Sequence, residues 1–196
     1  MTTPFGLIIQ CDLGSFHDFE MAAEAVNAQK IKWIWIKGND SEITPHLEAV
    51  NDLIQKEKLK VFCESTTLIQ SGLIAEAIII DDFKEITELK KDHPTLLIGG
   101  VANDLARSKN FELFEGDFVF LGPVDEIGEN PYITLIPEKP DYEWRFIDIT
   151  IPVIGFGMIE PKKLESFCKI VNLSGFACTI AEAQKHSHSN LRFPTL

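Results

Sequence analysis

Ala77-Ile78-Ile79-Ile80, then Asp82-Phe83-Lys84-Glu85 with Ile86 and Leu89 behind it, then Thr95-Leu96-Leu97-Ile98 and Gly99-Gly100 spell one complete structural unit. Both apolar runs are continuous rather than alternating, as expected of strands covered on both faces of a parallel sheet. Asp82 ahead of a helix-spaced pair of apolar residues is a helix start signal. The unit is therefore strand, helix, strand.

Outward from this unit the pattern repeats. The runs Phe5 to Gln10, Ile31 to Ile36 and Leu59 to Cys63 precede it, and Phe118 to Leu121, Pro152 to Phe156 and Gly175 to Thr179 follow. The eight starts are spaced by about 24 residues on average, which suits βα units. Helix starts lie between them. Ser15-Phe16-His17-Asp18 is a capping box ahead of Met21 to Ala25, and Thr44-Pro45 places an N-cap and a Pro before Leu47, Val50, Leu53 and Ile54. Glu160-Pro161 opens a stretch carrying Leu164, Phe167, Cys168 and Val171. Eight parallel strands with intervening helices predict a single-domain, compact (β/α)8 TIM barrel over residues 1–196. A doubly wound sheet of five or six strands is the rival, and it requires two or three of the runs to be false. Between Pro123 and Thr150 the prolines at 123, 131, 137 and 140 forbid a long helix. The sixth βα unit is expected to be irregular there, with Tyr132 to Ile136 extended.

Composition narrows the function. Lys and Arg number 18 against 30 Asp and Glu, a net charge of −12 over 196 residues. Such a surface repels nucleic acid and anionic membrane alike. The longest apolar runs fall far short of the ~20 residues of a transmembrane helix. The Met1-Thr2-Thr3-Pro4 start carries no basic segment leading into an apolar one. The expectation is a cytoplasmic protein with no nucleic-acid or membrane partner. Cysteines 11, 63, 168 and 178 have no metal-like spacing and are expected as reduced thiols.

A TIM barrel gathers its chemistry at the C-terminal ends of its strands. Those ends carry Asp12, then Lys37 with Asn39 and Asp40, Glu64 with Ser65, and Asp81 with Asp82; the second half carries Gly99-Gly100 with Asn103, Gly122-Pro123, Gly155 with Gly157, and Thr179. Lys37 is the one well-placed cation. Asp82 and Asn103 also stand where helix N-caps belong. Glu64 and Asp81 are either solvated mouth residues or a carboxylate pair for Mg²⁺, a cation that takes oxygen ligands. Gly155 and Gly157 are either turn residues or a place where backbone N–H groups approach a phosphate. Trp33 and Trp35 share one strand face and pack against the barrel interior or its helices. Lys185 to His188 reads as a metal site or, more simply, a solvated tail. No GxSxG motif and no flanked cysteine supports a nucleophilic triad.

Several stretches resemble the thiamine-phosphate synthase/TenI family. Leu96-Leu97-Ile98-Gly99, the turn Glu115-Gly116-Asp117, the strand Phe118 to Leu121 ending in Gly122-Pro123-Val124, and Ile151-Pro152-Val153-Ile154-Gly155-Phe156-Gly157-Met158-Ile159 are similar to its motifs, and Asp12 closes a similar first strand. The resemblance implies a compact barrel, often a homodimer, using Mg²⁺ to join a pyrimidine pyrophosphate to a thiazole phosphate, or aromatising the thiazole phosphate in TenI-like members. The family's basic pair after strand two falls on Lys37-Gly38-Asn39, its Asn-Asp after strand three on Cys63-Glu64, and its metal-binding Asp near Lys84, with Asp81 or Asp82 as the nearest acids. Its Ser and His after strand five fall on Val101 and Asn103, and its Thr-x-Thr-Lys on Ile127 to Asn130. About three charge-assisted donors are lost, at ~1.5–3 kcal/mol each. The expected function is therefore binding of a small phosphorylated heteroaromatic ligand in thiamine biosynthesis. Asp12, Lys37, Asn39, Asn103, Gly122, Gly155 and Gly157 would line the site, and Glu64 and Asp81 would hold Mg²⁺ where it is present. A non-catalytic barrel with an assembly or regulatory role is the alternative.

Overall fold

The apolar runs pair side by side until the last meets the first. In the computed structural model, which describes residues 5–28, 31–38, 40–122, 149–157 and 173–186, the strands are β1 (Gly6–Leu13), β2 (Trp33–Gly38), β3 (Lys60–Cys63), β4 (Ala77–Ile80), β5 (Leu97–Ala102), β6 (Phe118–Leu121), β7 (Val153–Phe156) and β8 (Gly175–Cys178). They close in sequence order, and β8 pairs in parallel with β1, Gly6 opposite Gly175. This is the expected (β/α)8 barrel; the doubly wound alternative is excluded by the closure.

Helices α1 (Phe16–Ala28), α2 (Asp40–Ile43), α3 (Leu47–Glu57), α4 (Thr66–Gln70), α5 (Ile86–Asp92), α6 (Leu105–Leu113) and α7 (Ile180–His186) lie between or after the strands. No helix among the described residues is long and apolar enough to cross a membrane. The irregular sixth unit, the extended Tyr132 to Ile136, the helix opened by Glu160-Pro161, Asn39, Cys168 and His188 lie outside the described residues.

Local chemistry explains most starts and corrects two. Asp18 reaches back to accept from the Gly14 N–H at 3.1 Å and the Ser15 hydroxyl at 3.0 Å. Asp82 accepts from the Lys84 N–H at 3.0 Å and opens a 3₁₀ turn, Phe83–Glu85, ahead of α5. Thr44, however, is no N-cap. The chain is already helical from Asp40, and the Thr44 hydroxyl donates back to the Asp40 carbonyl. The cap of α6 is Asp104, which accepts from the Arg107 N–H at 2.7 Å, and not Asn103.

Three strands run past their expected ends. β1 continues to Leu13, β2 to Gly38 rather than Ile36, and β5 spans Leu97–Ala102 rather than stopping at Ile98. Gly99 and Gly100 therefore sit inside a strand and serve packing. A Cβ at Gly99 would lie 2.3 Å from the Phe118 carbonyl, and one at Gly100 would lie 2.0 Å from the Phe111 ring.

Side-chain alternation splits the apolar residues into two layers. Ile8, Trp33, Trp35, Phe62, Ala77, Ile79, Phe118, Phe120, Ile154 and Ala177 fill the interior, with Phe5, Leu97, Val101 and Phe156 partly buried against them. Their partners on the other parity, such as Ile9, Ile34, Val61, Ile98 and Val119, pack outward under the helices. An eight-stranded barrel has a fixed, narrow lumen. The large rings of β2, β3 and β6 therefore need the small residues Ala77, Gly99 and Ala177 on other strands.

Candidate ligand site at the barrel mouth

Counting upward from the interior layer places the last inward position of each early strand. Ile8 is inward, so Asp12 is too; by the same parity Trp35 leads to Lys37, Phe62 to Glu64 and Ile79 to Asp81. Register confirms the ring, since Asp12 lies opposite Lys37 and Ile36 opposite Cys63, one residue before Glu64. Four titratable side chains thus converge on one rim. Three are acids and one is a lysine.

Beneath them lies an aromatic plug. Trp35, 1% exposed, packs 4.5 Å from the Phe120 ring and edge-on to Phe156 at 5.6 Å. Its indole N–H donates to Glu64 Oε1 at 2.9 Å, and the Lys37 ammonium sits 5.0 Å above its ring. A cation over an indole face is drawn by the ring quadrupole, here worth about 0.5–1 kcal/mol. Although Glu64 is exposed by area, its position over this plug draws it partly out of water and raises its pKa. The Lys37 charge and the indole bond pull the value down, while Asp81 and Asp12 push it further up. These couplings place all four groups in one electrostatic neighbourhood.

The remaining expected positions are distributed differently. Asn103 is exposed just beyond β5, next to the cap Asp104. Gly122 is buried at the end of β6, where a Cβ would fall 2.4 Å from the Phe156 carbonyl. Gly155 has the opposite parity: a Cβ there would meet the Phe176 ring at 2.9 Å and Leu173 at 3.0 Å in the outer layer. Gly157 follows β7 with φ at 125°, a conformation suited to glycine. The mouth therefore brings together Asp12, Lys37, Glu64 and Asp81. It does not bring in the Cα hydrogens of Gly155.

Other chemistry is narrowed by the surroundings. Burial pushes the Cys63 thiol up to about 11 and those of Cys11 and Cys178 to about 12, so none is a ready thiolate. Among the described residues no three His, Cys, Asp or Glu side chains gather as a metal set. Asp12, Glu64 and Asp81 are the carboxylates on this rim, and carboxylate oxygens are the ligand type that hard cations such as Mg²⁺ take.

Two residues had no signal in the sequence. Trp35 was legible as a packed residue but not as a donor to Glu64, because that bond joins strands 29 positions apart. Arg107, in the first turn of α6, donates from Nε to the Val101 carbonyl at 2.8 Å and from Nη2 to the Asp81 carbonyl at 2.6 Å.

Closure and strand order define a (β/α)8 barrel, with the four titratable groups on the rim at the C-terminal ends of its strands. No family model and no curated protein matches the sequence. Among solved structures, the chain is similar to thiamine phosphate pyrophosphorylase from Pyrococcus furiosus, with a TM-score of 0.69 and 15% identity over 95% of this chain and 92% of that one. It is also similar to thiamine phosphate pyrophosphorylase from Bacteroides thetaiotaomicron (TM-score 0.59, 9% identity, 89% and 82% covered). N-acetylmannosamine-6-phosphate 2-epimerase from Clostridium perfringens aligns with a TM-score of 0.66 at 15% identity, covering 90% and 87%. At these identities the likeness establishes the fold alone.

Proposed function

We propose that this chain is a thiamine-phosphate synthase/TenI-like barrel that binds a small phosphorylated heteroaromatic ligand across its mouth. The observation that carries the reading is Lys37. Its ammonium stands over Trp35 at the rim, yet among the described residues it makes no ion pair within 4 Å. A cation held by a ring rather than by a carboxylate keeps its charge for an incoming anion. In this reading Lys37 meets the phosphate, Asn103 and the backbone at Gly157 offer further donors, and the ligand ring lies over the Trp35–Phe156 plug. Glu64 and Asp81 would hold Mg²⁺ carried in with the phosphate, whose chemistry there is to neutralise charge. Neighbours named for phosphorylated compounds, two of them thiamine phosphate pyrophosphorylases, support the same ligand class.

Isothermal titration with thiazole phosphate, the pyrimidine pyrophosphate and thiamine phosphate tests this directly. Heat with at least one is expected, and loss of that heat in Lys37→Ala ties it to the mouth. No heat with any of the three overturns the proposal. A coupled assay for thiamine phosphate formation with Mg²⁺ then separates an enzyme from a binding barrel.

One observation favours a second reading, a non-catalytic barrel with an assembly or regulatory role. The mouth sets three carboxylates against a single lysine, a poor balance for a pyrophosphate. If this reading holds, Lys37→Ala and Glu64→Ala proteins rescue a deletion strain as well as wild type does. Loss of rescue by folded variants removes it.

A further inference from the structure

The ladder between β4 and β5 ends at the pair Ile80 and Gly100. One residue further, the carbonyls of Asp81 and Val101 have left the ladder and need donors, because two parallel strands at a barrel rim begin to splay there. A single guanidinium supplies both. Arg107 Nη2 bonds the Asp81 carbonyl at 2.6 Å, Nε bonds the Val101 carbonyl at 2.8 Å, and the Cζ sits 5.9 Å from the buried Phe111 ring. Its own backbone N–H is fixed by the Asp104 cap at 2.7 Å. The planar fork of arginine presents donors in a rigid arrangement that a lysine cannot copy. Resting on our reading of the mouth as a ligand site, we infer that Arg107 is a positioning residue: it staples the ends of β4 and β5 and so fixes the Asp81 carboxylate against Glu64 without touching the ligand.

Both Asp81 and Val101 have inward parity, so any splay of these two ends moves the groups that face the mouth. Arg107 itself lies on the outer side, over Phe111 and the helix layer. It acts on the site only through the backbone it holds.

Two measurements test this. The first needs no ligand: amide hydrogen exchange in Arg107→Met and Arg107→Lys. Loss of the staple is expected to speed exchange about tenfold at residues 81–82 and 101–104 while β1 to β3 keep their protection. Exchange unchanged in both variants, or raised evenly over the whole barrel, overturns the inference. The second is a double-mutant cycle with thiazole phosphate as the probe. Arg107→Met is expected to weaken binding about tenfold in the wild-type background, in line with other residues that orient a ligand's partners. In the Asp81→Asn background it should weaken binding hardly at all, because the carboxylate it positions is gone. Equal losses in both backgrounds overturn the role, whatever the stability of the variants. Absence of heat with wild type would instead sink the ligand reading, and exchange alone would then decide the staple.

Discussion

Two lysines sit over two tryptophans of β2, one from the floor end of β3 and one from the mouth end of β2, and they do different things. At the barrel floor, Lys60 lies 5.1 Å from the Trp33 ring and pairs with Glu76 at 3.2 Å. At the mouth, Lys37 lies 5.0 Å from the Trp35 ring and has no such partner among the described residues. The floor charge is neutralised where it stands. The surroundings differ in the same sense. Phe5, Trp33, Phe62 and Phe118 interlock with ring centroids 4.5 to 6.2 Å apart. Below β5 and β6, Asp117 accepts from the Ile98 N–H at 2.8 Å and from Lys90 at 3.0 Å. These floor charges find their partners inside the protein. At the mouth, rings meet ions, carboxylates face one another, and the balance is left open. Barrel enzymes generally divide stability and function between their two ends in this way.

The comparison can be broken most violently at the floor. Phe62→Ala should remove about 3–5 kcal/mol of unfolding free energy, because the ring is fully buried and four aromatic neighbours cannot all collapse onto the space. Denaturant titration reads it. Asp117→Ala should cost about 1.5–3 kcal/mol, since it frees the Ile98 backbone N–H and leaves the Lys90 ammonium with the Glu115 carbonyl but no carboxylate.

Substitutions at the mouth should disturb stability less and titration more. Trp35→Phe removes the donor to Glu64, costing about 1 kcal/mol, and should push the Glu64 pKa higher still, as followed by carboxyl NMR shifts. The smallest effect is the most telling. A carboxyl whose folded pKa lies above its ordinary value of 4.5 binds more protons folded than unfolded. Its stabilising contribution is present below 4.5 and is lost as pH rises through the folded value. Glu64→Gln keeps an oxygen for the indole N–H and carries no charge. It should therefore melt slightly above wild type at pH 7, with the difference fading as pH falls through the raised folded value and gone below 4.5. A melting gain that persisted undiminished at low pH would show that the mouth carboxylate stands free of strain.

How much of this was readable beforehand differs between the same two ends. All eight strands announced themselves because each is a near-continuous apolar run buried on both faces, a signal that survives without knowledge of neighbours. The upper limits of β1, β2 and β5 did not. Gly99 and Gly100 read as the mouth end of strand five, yet they lie inside it, and their missing side chains make room for Phe118 and Phe111. That demand comes from another strand and a helix, so local pattern could not carry it. Asp12, Lys37, Glu64 and Asp81 were legible as strand ends. Their convergence follows from parity once the registers are known. The Trp35–Glu64 bond and the Arg107 staple depend on which strands are neighbours, and only closure of the barrel reveals them. Asn103 was one residue away from the true cap, Asp104, because β5 runs on to Ala102.

Near the start of β7, Glu112 on α6 grips Thr150 through both its backbone N–H and its hydroxyl, while Lys109 holds the other carboxylate oxygen at 3.1 Å. At the far side of the same gap, the Gly122 N–H is already bonded to the Ala102 carbonyl at 3.1 Å. The barrel thus owns both ends of residues 123–148 through contacts made by its own wall. The wall on either side of residues 123–148 is thus held by its own hydrogen bonds, a clamp at Thr150 and another at Gly122.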